Sequence, residues 1–270
     1  MKNYAIFLDL EGVHGVVGIP NDGLGDIPDY YIATYTAVTE VNAAVKALFD
    51  EGADNVYVWD NHGGGNNIDF SRVDKRAKKI EIVNNPLTRI DFIESLDLSG
   101  VVYLGYHARE GTLNAVLAHT YSSSDIQYYK FNGKPFGEFD MDCVFCSHYG
   151  VPALFAAGDD ICINQMLENS PHIQTAITKI ALGRNKAQYL DDGKVLQDIY
   201  DGVRKSVHTK HDLYPLSFPC QIEVRYTRME LAEFYYQRNT KEFGLKVDYL
   251  EDAHTLTATI KDINELRMFL

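Results

Sequence analysis

Basic side chains are scarce in this chain. Lys and Arg number 25 against 38 Asp and Glu, a formal net charge of −13. Phosphate recognition wants the opposite balance, so nucleic acid is a poor fit as a partner, and an anionic lipid surface is a poor fit for the same reason. Four cysteines are too few for a disulfide scaffold. No apolar run approaches the roughly 18 residues of a membrane span. The start, MKNYAIFLDLEG, turns acidic at Asp9 and Glu11 before a signal-peptide core could form. The expectation is a cytoplasmic protein with reduced thiols. What is present is ordinary for a folded chain: 270 residues, 46% hydrophobic and 23% charged, enough for a sizeable core in one large domain or two small ones.

Strand and helix patterns alternate through the first two-thirds. Short apolar runs at Ala5–Leu8, Val56–Trp59, Ile80–Val83, Val101–Leu104 and Val151–Ala156 read as buried strands. Between the first two, Ile32, Val38, Val41, Val45 and Leu48 recur at helical spacing until Gly52. Ile126–Phe131 reads as a strand closed by an Asn132-Gly133 turn, and Gly137–Tyr149 as a helix. Such alternation predicts an α/β fold with a mostly parallel sheet flanked by helices. From Phe218 the pattern changes. Strands at Cys220–Tyr226, Leu245–Leu250 and Thr255–Ile260, with helices at Met229–Tyr236 and from Asp262, suggest a small C-terminal α+β subdomain. We therefore divide the chain into residues 1–190, a metal-binding catalytic domain, and 191–270.

Ligands of parallel α/β sheets sit beyond the carboxyl ends of the strands, and polar residues gather there: Asp9 and Glu11, Asp60 and His62, His107, and Asp159 and Asp160. Each has an ordinary explanation taken singly. Asp9 and Glu11 could end a strand in solvent; His62 lies in a glycine-rich loop that matches neither a P-loop nor a dinucleotide fingerprint; Glu138 could complement a helix dipole. Together, acids and imidazoles converging on one crevice without thiolate suit zinc or another divalent cation. More carboxylates than one ion needs point to two ions.

These residues lie in six ordered motifs: Leu8-Asp9-Leu10-Glu11-Gly12, Asp60-Asn61-His62, Leu104-Gly105-Tyr106-His107-Ala108-Arg109, the His119 region, Asn132-Gly133-Lys134-Pro135 with Gly137-Glu138, and Ala157-Gly158-Asp159-Asp160. In their order and spacing the chain resembles the D-aminopeptidases of the DppA type, a family of zinc metallopeptidases. The resemblance implies two zinc ions held by Asp9, Glu11, His62, His107 and Glu138, with Glu11 as the bridge and other divalent cations as alternatives. It implies that His119 is an active-site histidine outside the ligand set. It also implies a ring-shaped homo-oligomer, a decamer, with the active sites facing an internal chamber. The reaction would be hydrolysis of the N-terminal amide of short peptides, D-residue-containing ones among them, by a metal-activated water. His119 would move a proton or steady the oxyanion.

Four features depart from the family pattern: His14 in Gly12-Val13-His14-Gly15, read as a solvent-exposed loop residue; Asn61 beside His62; the Gly63-Gly64-Gly65 run; and Asn185. Cys143 and Cys146 form a C-x-x-C inside a helix and are read as packing thiols. Of Asp159 and Asp160, one is expected to cap a helix and the other to hold a ligand histidine. Two rival functions remain open on these residues: a metal-dependent phosphoesterase using Arg109, and a metal-stabilised ring that binds peptides without turnover.

Overall fold

The structure is a computed structural model that describes residues 1–20, 24, 27–81 and 90–270, the side chains of 27–29 excepted. Its first half runs β1 (Asn3–Leu8), α1 (Ile27–Asp50), β2 (Asn55–Asp60), β3 (Lys78–Lys79), α2 (Phe92–Leu96), β4 (Leu98–Tyr106), β5 (Ile126–Phe131), β6 (Lys134–Phe136) and α3 (Glu138–His148). The second runs β7 (Ala153–Asp159), α4 (Asp160–Asn169), β8 (Gln174–Gly183), β9 (Lys186–Tyr189), α5 (Asp192–Val207), β10 (Cys220–Tyr226), α6 (Met229–Gln237), β11 (Val247–Tyr249), β12 (Thr255–Ile260) and α7 (Ile263–Arg267). Seven strands form one sheet in the order β3-β2-β1-β4-β7-β8-β9. All its pairs are parallel except β8 with β9. The fold class is as expected. Of the strand expected at Ile80–Val83, Ile82 and Val83 lie outside the described residues, and the strand found beside it, β3, ends at Lys79.

Alternation within the strands builds two cores, one on each sheet face. Ala5, Phe7, Val101 and Tyr103 pack with α3, α4 and the second sheet. Tyr4, Ile6, Leu8, Val102 and Leu104 pack with α1 and α5. Each large apolar side chain removed from water in this way contributes about 1.5–3 kcal/mol. On α1 the buried stripe is Ala33, Ala37, Val38, Val41, Ala44, Val45 and Leu48, whereas Ile32 is exposed. Ile32 lies outside that stripe, so helical spacing alone misassigned it.

The second sheet is antiparallel, in the order β11-β12-β10-β5-β6. Asn132 and Gly133 both take positive φ, 49° and 78°, as a two-residue type I′ hairpin turn requires. Two of its strands therefore come from residues 126–136, and α5, beyond residue 190, packs on α1 and β8.

Candidate metal centre

Strand order reverses at β1, whose connection through α1 runs to β2 while β4 lies on its other side. A crevice beyond the carboxyl ends is expected at such a switch point. Two glycines let the chain turn there. A Cβ on Gly12 would stand 1.9 Å from the Tyr106 carbonyl oxygen, and one on Gly105 (φ +71°) 2.0 Å from that of Asp9. The loops are joined by Gly12 N–H to Gly105 O at 2.7 Å and Asp9 N–H to Leu104 O at 2.9 Å. Strand β1 ends at Leu8, so a turn and not the pleat of a strand brings the Asp9 and Glu11 carboxylates together.

The expected residues meet. His62 Nδ1 lies 3.0 Å from Asp9 Oδ1 and 3.2 Å from Glu11 Oε2. His107 Nε2 lies 3.4 Å from Asp9 Oδ2 and 3.3 Å from Glu138 Oε1. His119 Nε2 lies 3.9 Å from Glu11 Oε1 and 3.7 Å from Glu138 Oε1, with its ring stacked on that of His107 at 3.9 Å. Two donor groups result: Asp9, Glu11 and His62, and His107, His119 and Glu138. Asp9 and Glu11 each turn one oxygen toward each group. His119 thus stands among the donors, although the resemblance puts it outside the ligand set.

Three carboxylates crowded together repel unless cations intervene. Here the His62 and His107 imidazoles serve. Burial would raise the Asp9 carboxyl, but its interactions with His107 and His62 hold it well below the usual range. Burial disfavours a charged His62; the Glu11 charge and the hydrogen bond to Asp9 prevail and push the imidazole up to about 11. His107 is raised well above its ordinary value against the same opposition, chiefly by Glu138.

A metal ion fits these residues. His107 Nδ1–H donates to Ala108 O at 3.0 Å and His119 Nδ1–H to Leu117 O at 2.8 Å, which turns each Nε2 to the crevice, where a metal ion would take the place of any proton on it. His107 Nε2 is buried and has no hydrogen-bond partner among the described residues. Oxygen and nitrogen donors in two such groups suit zinc.

Neighbouring side chains position the ligands. Asp142, buried in α3, accepts from Tyr106 Oη at 2.6 Å and Asn61 Nδ2 at 2.9 Å, the residues preceding His107 and His62. Asp60 accepts from the Asn67 and Ile68 amides and shapes the His62 loop. Tyr121 N–H donates to Glu138 Oε1 at 2.7 Å.

Several expectations need correction. His14 is buried: Nδ1 lies 2.8 Å from Thr178 O and Nε2 2.6 Å from Asp192 Oδ1. Asp159 caps α4, accepting from the Ile161 and Cys162 amides, as one of the two acids was expected to do. Asp160 accepts from Ala181 N–H at 2.7 Å and so ties α4 to β8. The Nδ1 partners of His107 and His119 are backbone carbonyls, a role the sequence analysis had offered to one of these acids. Cys143 and Cys146 are buried and free, and burial pushes both thiols up, in keeping with packing. The Arg109 guanidinium faces Glu168 at 3.3 Å.

A buried charge outside all six motifs also reaches this site. Lys179 of β8 is fully buried, and Nζ donates to the carbonyls of Glu11 at 2.5 Å and Val13 at 2.8 Å. Its signal was a lone charge inside the run Ile177–Ala181.

A family model for peptidase family M55, described as D-aminopeptidase, matches residues 1–263. A D-aminopeptidase of Bacillus subtilis (strain 168) is 27% identical over 223 residues, covering 81% of this chain and 78% of that protein. The solved structure of the Zn-dependent D-aminopeptidase DppA from Bacillus subtilis, described as a self-compartmentalizing protease, shares the fold. Its TM-score is 0.84 at 22% identity, over 99% of this chain and 94% of that one.

Proposed function

The chain belongs to peptidase family M55, the D-aminopeptidases, and from that premise we propose that it is a binuclear zinc aminopeptidase acting on short peptides, D-residue-containing ones included. The observation that carries the reading is the pair of donor groups meeting at one crevice, with the two oxygens of Asp9 and of Glu11 divided between them. Asp9, Glu11 and His62 would hold one ion, and His107 and Glu138 the other. Glu11, the bridge that the resemblance implies, and Asp9 each present one oxygen to each group and would be shared between them. Bound there, the ions would polarise the scissile carbonyl and bring the pKa of a water toward about 7.

The chain's own residues supply the rest. His119, its Nδ1 proton committed to Leu117 O, has Nε2 free to carry a proton to the leaving amine or to steady the oxyanion. Asp142 fixes the approach of His62 and His107 through Asn61 and Tyr106. The phosphoesterase alternative rested on Arg109, whose guanidinium is engaged by Glu168, so nothing favours it over peptide hydrolysis.

No helix among the described residues is long and apolar enough to cross a membrane, and we take the protein to be cytoplasmic. The structural relative is described as self-compartmentalizing, which supports a ring-shaped homo-oligomer; we take the ring to be a decamer, as the resemblance implies.

The test is elemental analysis joined to turnover of D-alanyl amides. Wild type should hold two zinc ions per chain and lose activity to a strong chelator. His107→Ala should lose metal, whereas His119→Ala should keep both ions and lose most activity. Turnover untouched by chelation would overturn the reading. Loss of an ion from His119→Ala would move His119 into the ligand set.

A further inference from the structure

We infer that Lys179 is a positioning residue for Glu11, gripping the backbone on which that ligand is mounted; the inference rests on the metal centre proposed above. Three consecutive carbonyls beyond Leu10 are held by two adjacent side chains of β8. Lys179 Nζ donates to Glu11 O at 2.5 Å and Val13 O at 2.8 Å, and Thr178 Oγ1 donates to Gly12 O at 2.6 Å. The next residue is pinned as well. His14 N–H donates to Glu40 Oε1 at 2.8 Å, and its ring meets the Thr178 carbonyl.

A fully buried ammonium is costly unless its protons find acceptors, and lysine is among the residues least often found fully buried. Here the acceptors are the carbonyls of the segment that carries a metal ligand. A fixed backbone leaves the Glu11 carboxylate few directions to take, and its two oxygens must serve two donor groups at once. The β8–β9 hairpin reaches the second group too. Arg184 Nη1 donates to Ala118 O at 2.7 Å, and Leu117 N–H donates to Arg184 O at 2.9 Å, just before His119. One hairpin thus braces the loop of Glu11 and the loop of His119.

The inference separates from a plain packing role by its readout. Zinc affinity is measured by competition with a chelating dye on the metal-stripped chain, beside thermal melting of the same stripped protein. Lys179→Met should remain folded and bind zinc about 10- to 100-fold more weakly, the effect typical of losing a group that orients a ligand. Thr178→Val, which deletes one hydrogen bond from the same loop at constant shape, should weaken zinc in the same direction and less. Val203→Ala, a core change on α5, should lower the melting temperature and leave zinc affinity unchanged.

Wild-type affinity in a folded Lys179→Met overturns the inference. Should that variant fail to fold, wild-type affinity in Thr178→Val overturns it. A loss in Val203→Ala equal to that in Lys179→Met would also overturn it, as general loosening. Failure of the wild-type chain to take up zinc would remove the centre itself and this inference with it, a result visible before any variant is made.

Discussion

The loops carrying Glu11 and His62 are built in opposite ways, though their side chains meet 3.2 Å apart. After Glu11 the backbone is crowded: glycines stand where a Cβ would strike carbonyl oxygens at 1.9 and 2.0 Å, and three carbonyls in a row are held by β8. After His62, a Cβ on Gly63 or Gly64 would meet nothing within 4 Å. The lesson is that one centre joins a fixed ligand to one whose loop has room. Asp9, Glu11 and the β4 end are held by close backbone contacts, whereas the loop after His62 is exposed and can take a side chain without displacing a neighbour.

Substitutions can break or sharpen that contrast. The largest effect is expected from Gly105→Ala, which adds a Cβ at positive φ against the Asp9 carbonyl. It should cost about 3 kcal/mol or more in urea unfolding; a loss under about 1 kcal/mol would mean the crowded loop yields easily.

Glu40 comes next. It is fully buried on α1, where it accepts from His14 N–H, and its second oxygen has no partner among the described residues. Burial pushes its carboxyl up to about 7, against the hydrogen bond from His14 and the charges of Lys179 and His14. A carboxyl raised on folding contributes stability that is whole below its unfolded pKa and is lost as pH rises through the folded one. Between pH 4.5 and 7 that loss is on the order of 3 kcal/mol. Glu40→Gln cannot ionise. Its stability relative to wild type should therefore rise from pH 5 to pH 8, read from paired melts; parallel curves would refute the assignment. The smallest effect belongs to Gly64→Ala, which should change stability by less than about 0.5 kcal/mol. A loss comparable to that of Gly105→Ala would erase the distinction between the loops.

How much of this the sequence carried depended on how local each signal was. β10 and β12 were predicted with the ends they have, because their apolar alternation is bounded by turn residues. Asp9, Glu11, His62, His107 and Glu138 were legible as candidates because each follows a strand or opens a helix, but only the family resemblance set them apart from Asp60, Asp159 and Asp160. β8 was not, since Thr175, Thr178 and Lys179 interrupt its apolar pattern. His14 was misread because what buries it lies 164 and 178 positions away, at Thr178 and Asp192. For Lys179 the local signature is only a lone charge in an apolar run; its acceptors, the carbonyls of Glu11 and Val13, lie 168 and 166 positions away.

The hairpin β5–β6 leads directly into Glu138, yet its outer neighbour is β10. A growing chain finishes β5, at Phe131, 95 residues before it finishes that neighbour, at Tyr226. On the ribosome, the strands that lead to Asp9, His62 and His107 are made well before the strand that flanks the Glu138 hairpin. The hairpin that leads into Glu138 thus keeps an open edge on its β10 side until residue 226 has been added.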